Sequence, residues 1–263
     1  MNHAFDSPIP LQAEAATSRT TARRSNVGAG GRSSRKSAKS GQKQTRPKAY
    51  GAQDELTQMA LKACLIARDA TFNVRDLLTN SSRMAFIAVR DCEKELDQIE
   101  RSIDERLPEA ITRVSEEKAR ELLACLKSIT DLERIGDLLA GVAHRVHARG
   151  GSLAAADTEN LVEMSNILHT MLDRTHQGFL TRDLDCARDV LRIDTKIDRI
   201  CHRMFQKHLA NIADDKQCPS LDVLLMAQAL ERAGDHAKNL AEELYSLIEG
   251  HSLRHPPKRI TPQ

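Results

Sequence analysis

Leu-Glu-Arg-Ile-Gly-Asp at 132–137 and Leu-Glu-Arg-Ala-Gly-Asp at 230–235 agree at five of six positions and lie 98 residues apart. Each sits inside a long stretch whose apolar spacing reads as helix, so the chain reads as an internal duplication with one structural unit built twice. Within each copy a Glu and an Asp stand four residues apart, Glu133 with Asp137 and Glu231 with Asp235. At about 100° per residue this spacing stacks both carboxylates on one helix face. Two such acids repel by a few tenths of a kcal/mol in an isolated helix, and a cation is the simplest compensation.

Outward from the motifs, the apolar pattern predicts three helices per copy. Leu56, Met59, Ala60, Ala63, Ala67, Ala70, Val74 and Leu77 follow the three-and-four spacing of a helix that buries one face. A turn through Asn80 and Ser81 follows, with Ser82 as N-cap. A second helix is expected over 83–107, ended by Pro108, and a third over 115–148, stopped by Gly150 and Gly151. The second copy repeats the plan with helices over 156–179, 183–212 and 220–249. A polar turn at 214–217 and Pro219 precede the last of these, and Gly250 ends it. Short connections make sequential helices antiparallel neighbours. The fold class is therefore all-α, two tandem three-helix up-down-up repeats (54–150 and 151–250) packed into one six-helix body.

Composition agrees: 40% hydrophobic residues, only 3% aromatic and no Trp suit helix bundles rather than β-sandwiches. The net charge of +2 conceals an asymmetry. Residues 1–50 carry ten Lys and Arg against Asp6 and Glu14, a balance of +8, whereas the remaining 29 basic residues face 35 acidic ones, a balance of −6. The stretch 1–53, poor in apolar residues, is expected to be a disordered basic tail, and 251–263 a short Pro-rich tail. A basic tail attracts nucleic acid or anionic membrane by charge alone, but no aromatics interleave its Arg and Lys, which counts against nucleic acid as a partner. An Arg- and Ser-rich, acid-poor start also resembles a transit peptide. Six cysteines without a CxxC pair, and no signal peptide before them, are read as free thiols of a reducing cytoplasm. No apolar run approaches the roughly 18 residues of a membrane span, so membrane contact is expected to be peripheral only.

The acidic faces extend beyond the motifs. Glu93 and Asp97 on the second helix, and Asp194 and Asp198 on the fifth, are again one turn apart. They lie 40 and 37 residues upstream of Glu133 and Glu231, a separation that suits neighbours across an antiparallel hairpin. Each copy thus offers four carboxylates from two facing helices. Hard oxygen donors in that number suit Mg, Mn, Ca or iron, as in the carboxylate-bridged bundles. Those di-iron enzymes add a His three residues after a Glu, and no Glu-x-x-His occurs in this chain. The competing reading is that the acids pair with Arg134 and Arg232 or face water. Glu100 and Asp104 prolong the acidic face of the second helix, and His144 lies on the face of Glu133 and Asp137, making all three possible extra ligands. Gly136 and Gly234 sit mid-helix, where Gly costs about 1 kcal/mol against Ala; close helix packing or a nearby ligand would explain them.

The doubled motif, its extension Leu-Glu-Arg-Ala-Gly-Asp-His-Ala-Lys-Asn-Leu-Ala-Glu at 230–242 and the closing Ile-Glu-Gly-His-Ser-Leu-Arg-His at 248–255 resemble the PhoU family of phosphate-uptake regulators. The resemblance covers roughly 54–255 and implies two three-helix repeats with multinuclear metal clusters of iron or zinc, Mn and Mg being alternatives. It implicates Glu93, Asp97, Glu133 and Asp137 in one site and Asp194, Asp198, Glu231 and Asp235 in the other. It also implies a cytoplasmic homodimer contacting the ATPase subunit of a phosphate transporter and a sensor histidine kinase. The sequence departs from the family pattern at Gly141, the counterpart of Asn239, and at Cys201, which stands where the first copy has Glu100. The basic tail has no equivalent in that pattern.

No Ser-His-Asp set, phosphate-binding Gly loop or dinucleotide fingerprint appears, so catalysis has no candidates beyond the carboxylates. The expectation is a non-enzymatic negative regulator of phosphate uptake and starvation signalling. The rivals are a metal-dependent enzyme using the same acids and a nucleic-acid or membrane protein acting through its tail.

Overall fold

A computed structural model describes residues 52–150, 153–213 and 221–251. These form six helices and contain no strand: α1 Ala52–Asn80, α2 Arg83–Ile111, α3 Glu116–Ala148, α4 Ala155–Thr181, α5 Leu184–Ala213 and α6 Leu221–Glu249. All belong to one compact unit, Lys48–Gln263. The tail expected over 1–53, apart from Ala52 and Gln53, lies outside the described residues, as do the turn at 214–217, Cys218, Pro219 and the closing stretch beyond His251.

Local chemistry explains the helix ends. Ser82 caps α2 by accepting from the Ala85 N–H at 3.2 Å, and Ser115 caps α3 by accepting from the Lys118 N–H at 3.3 Å. Glu116 and Glu117 open α3, and Arg145 and His147 close it, each sign matched to the helix dipole. Asp183, expected as the first residue of α5, stands just outside it, where its Oδ1 accepts from the Asp185 N–H at 2.9 Å. Gly150 (φ 61°) and Gly250 (φ 74°) take the left-handed backbone that ends α3 and α6.

One expected boundary is corrected. Pro108 does not end α2, which continues to Ile111 and caps at Thr112. Proline removes only the N–H that would bond the carbonyl of Asp104, a residue exposed to water, while Leu107 and Ala110 stay buried and Ile111 packs on the core. That burial outweighs one lost hydrogen bond near a helix end.

Each half is a three-helix bundle in which α1, α2 and α3, and likewise α4, α5 and α6, pack on one another. The halves join through α1 against α4 and α3 against α6, leaving α2 and α5 on the flanks. One broad face therefore presents the helices in the order α2, α3, α6, α5. The α3–α6 pair is antiparallel: Lys127 Nζ meets Glu243 at 3.1 Å, and Asp131 accepts from Asn239 at 3.1 Å and lies 2.7 Å from His236 Nδ1. The core is continuous across the seam, with Leu132, Ile135, Leu139, Leu168, Leu230 and Leu240 at most 1% exposed. No described helix is long and apolar enough to cross a membrane.

Candidate functional site

The mid-helix glycines set the geometry of both acidic faces. A Cβ on Gly136 would stand 2.7 Å from Leu96 Cδ1 and 3.7 Å from the Glu93 Cα, so the missing side chain lets α2 close onto α3. A Cβ on Gly234 would stand 3.2 Å from Ile197 Cδ1 and 3.8 Å from Asp194 Oδ1. Helix approach accounts for both glycines, and in the second half the same space also accommodates a carboxylate. Leu96 and Ile197 take the same place against the motif glycine, which matches α2 to α5 at an offset of 101 residues. Glu93 and Asp194 are then equivalent, as are Asp97 and Asp198, and Glu100 and Cys201.

In the first half, α2 and α3 bring Asp97, Glu100, Glu133 and Asp137 into one electrostatic neighbourhood, with the half-buried Glu93 at the point of closest approach. Burial raises the Glu133 carboxyl above its ordinary range, and the charges of Asp137, Glu100 and Asp97 push the same way, against Arg134. Glu133 Oε2 is buried and makes no hydrogen bond; the Arg134 Nε stands 3.5 Å away. Arg134 also reaches Asp137 at 3.5 Å, and Arg101 pairs with Asp97 at 2.8 Å. Glu100 is raised by burial and by Asp104 and Asp97, with a Thr130 hydroxyl opposing. Asp104 itself is exposed. His144 lies about two turns beyond Asp137, where its ring meets the Phe86 ring edge-on at 5.2 Å. The other face of that cluster is a stack of Phe86 on His147 at 4.2 Å.

The second half gathers Asp194, Asp198, Glu231 and Asp235 in the same way. Glu231 is raised by burial and by the charges of Asp235, Asp198 and Asp194; Asp198 is raised by burial, Asp194 and Asp235. Asp194 is only 2% exposed. Its Oδ2 accepts from Lys238 Nζ at 2.8 Å, whereas its Oδ1 is buried without a hydrogen bond. Lys238 is held charged above its usual range, first by that hydrogen bond and then by the surrounding acids. Burial pushes the Cys201 thiol up to about 11, so this position contributes a neutral group where the first half has a carboxylate.

The donor chemistry suits a hard or borderline cation: an unsatisfied buried carboxylate oxygen in each half, and acids whose ionised form is disfavoured by burial and by one another. The side chains are nevertheless splayed, and among the described residues no three of His, Cys, Asp and Glu draw close enough to form a metal's ligand shell. The described cysteines are free thiols. A cavity of about 50 Å³ where α1, α3, α4 and α6 meet is lined by Cys64, Cys125 and Ser128 and by none of the eight carboxylates.

Three features escaped the sequence reading. Lys238 lies within the quoted motif, seven residues after Glu231 and hence on the acidic face, a spacing that identifies it once Ala140 is seen at its counterpart. The link from Asp131 to His236 and Asn239 joins the halves, and nothing local signals a contact over such a sequence distance. Asp157, near the start of α4, is buried against His208 Nε2 at 3.1 Å with Lys207 at 3.4 Å, on a helical face that a His and an Asp do not advertise as core.

The PhoU domain model matches residues 60–146 and 161–244. A phosphate-specific transport system accessory protein PhoU homolog from a Burkholderia species is 30% identical over 187 residues, covering 68% of this chain and 80% of that protein. The homolog of the same name from Pseudomonas aeruginosa is 30% identical over 174 residues, covering 64% and 71%. Among solved structures, PhoU from Pseudomonas aeruginosa superposes with a TM-score of 0.70 at 23% identity, over 75% of this chain and 97% of that one. PhoU from Streptococcus pneumoniae gives 0.69 at 21% identity, over 76% and 97%. These structures speak for the fold, and the domain match falls once on each three-helix half; the chain belongs to the PhoU family.

Proposed function

We propose that this protein is a non-enzymatic accessory regulator of phosphate transport that restrains phosphate import, and with it phosphate-starvation signalling, through protein contacts. The observation that carries the reading is the PhoU domain matched on both halves, together with relatives named as phosphate-specific transport system accessory proteins. Its partners in this reading are the ATPase subunit of a phosphate transporter and the associated sensor histidine kinase, met at the cytoplasmic face of the membrane by a homodimer. Deleting the gene should derepress phosphate uptake in phosphate-rich medium, measured as labelled phosphate accumulated per cell. Uptake and starvation signalling that stay at wild-type levels would overturn the reading.

Metal at the two acidic clusters is part of the same proposal. Glu93, Asp97, Glu133 and Asp137 would hold it in one half, with Glu100 and Asp104 within reach, and Asp194, Asp198, Glu231 and Asp235 in the other. Iron or zinc is the leading choice, with Mn or Mg as alternatives. Such a cation supplies positive charge that favours the ionised carboxylates and ties α2 to α3 and α5 to α6. The buried, unbonded oxygens of Glu133 and Asp194 support this reading. The residues themselves bring anionic donors from two helices to each cluster. His144, on the face of Glu133 and Asp137, is a possible extra ligand of the first half.

A further inference from the structure

We infer that Lys238 is an internal counter-ion that weakens the second acidic cluster as a metal site, so that the two halves take up metal unequally, the first ahead of the second. The inference rests on the reading of both clusters as metal sites and adds a regulation that the duplication alone does not suggest. Lys238 follows Asp235 by three residues on α6, and its ammonium bonds Asp194 on α5 at 2.8 Å. It therefore spans the same pair of helices that a metal ion would span. The Asp194 side chain is 3% exposed and that of Lys238 40%, so the acid end of this pair is shielded from water while the ammonium reaches it from the rim. A cation entering the cluster meets a fixed positive charge already bonded to its most buried donor. It must either displace the ammonium or bind through Asp194 Oδ1 and the outer acids while repelled by it.

The first half has no such device. Ala140 stands at the position of Lys238, so α3 carries no ammonium there to meet Glu93, the counterpart of Asp194. The cations that do approach are Arg101 and Arg134, with side chains 72% and 57% exposed. Arg101 bonds the outer acid Asp97, and Arg134 stands at 3.5 Å from both Glu133 and Asp137. Exposed arginines are screened and free to swing away, so they oppose an entering cation little. Glu100 adds an anionic donor on this side, where the second half has the buried Cys201. Lys238 and the replacement of Glu100 by Cys201 both favour the first cluster, and the exposed arginine pairs that oppose it there are the weaker effect.

The test is a Mn²⁺ and a Zn²⁺ titration of the full chain by calorimetry, with metal retained after dialysis measured by mass spectrometry and thermal melts taken with chelator and with metal. Wild type should show a tight and a weak class of site. Lys238→Ala should tighten the weak class by about tenfold, a modest part of what removing a unit charge at hydrogen-bond range allows. It should also enlarge the metal-dependent rise in melting temperature, because Asp194 loses its partner in the chelated protein. Ala140→Lys should weaken the tight class. Melts of each variant with chelator verify folding, and Lys238→Gln, which keeps length and removes charge, substitutes if the alanine variant is unfolded. Two equal classes in wild type, or a weak class abolished by Asp194→Asn yet unmoved by both Lys238 variants, would overturn the inference while leaving the metal reading in place. No binding to wild type or to either Lys238 variant would overturn both.

Discussion

Where α1 begins and α2 ends, the first half buries Leu56 and Leu107; at the matching positions of the second half, 101 residues on, stand Asp157 and His208. All four are at most 7% exposed. The same helix ends meet in both halves, closed by apolar side chains in one and by a side-chain hydrogen bond in the other. A third group joins the second pair, since Lys207 Nζ stands 3.4 Å from Asp157 Oδ1, while His208 Nδ1 is buried without a hydrogen bond. The contrast recurs at the motifs, where Lys238 neutralises a buried acid in the second half and Ala140 leaves the first without one. Duplication has kept the helix order, the close approach of α2 to α3 and of α5 to α6, and the glycines that permit it. It has not kept the chemistry with which each half satisfies its buried polar groups.

The most forceful way to break this comparison is to copy the first half into the second. Asp157→Leu alone leaves His208 buried without its acceptor and should cost about 2–3 kcal/mol in urea unfolding. Asp157→Leu combined with His208→Leu should recover most of that loss, because a well-packed apolar pair commonly equals or betters a buried charged one. A double variant no better than the single would show that the pair does more than fill its layer.

The motif glycines sharpen the comparison at a smaller scale. Alanine gains about 1 kcal/mol of helix propensity at either site. At Gly136 the new methyl meets Leu96, a fully buried side chain, at 2.7 Å, whereas at Gly234 the nearest atom is 3.2 Å away. Gly136→Ala should therefore destabilise by about 1 kcal/mol net, as overpacking exceeds propensity, and Gly234→Ala should come out near neutral. Equal effects in chemical denaturation would mean that the two crossings are equally tight.

The smallest expected effect lies in pH. Glu133 has a folded-state carboxyl raised above its unfolded value, so in the metal-free protein its contribution is intact below about 4.3 and is lost as pH rises through the folded value. In the presence of chelator, Glu133→Gln should exceed wild type at neutral pH by a few tenths of a kcal/mol, the scale of one like-charge pair. The gain should vanish on acidification. A variant less stable than wild type at neutral pH would mean that Glu133 is held by favourable partners rather than opposed by its neighbours.

Much of the fold was legible because helical periodicity is local. The spacing of Leu56 through Leu77, the cap at Ser82 and the stop at Gly250 are all encoded within a few residues. Pro108 was misread because a proline's effect depends on whether the lost bond is buried and on what the following residues pack against. That Gly136 and Gly234 mark close helix approach was only half legible, since the sequence locates the gap and not what fills it.

The sequence by itself determined that a unit is built twice, that it is helical, and that acids recur on two helices of each copy, because repeats, periodicity and spacing are properties of the chain. Only the tertiary structure decided that Glu133 and Asp194 keep buried oxygens without hydrogen bonds, that Lys238 reaches Asp194 while Arg134 stays at the rim, and that Asp131 meets His236 across the seam. Those are matters of desolvation and of distance between residues far apart in the chain. Desolvation and a few ångströms of separation determine whether a charge is screened or must find a partner.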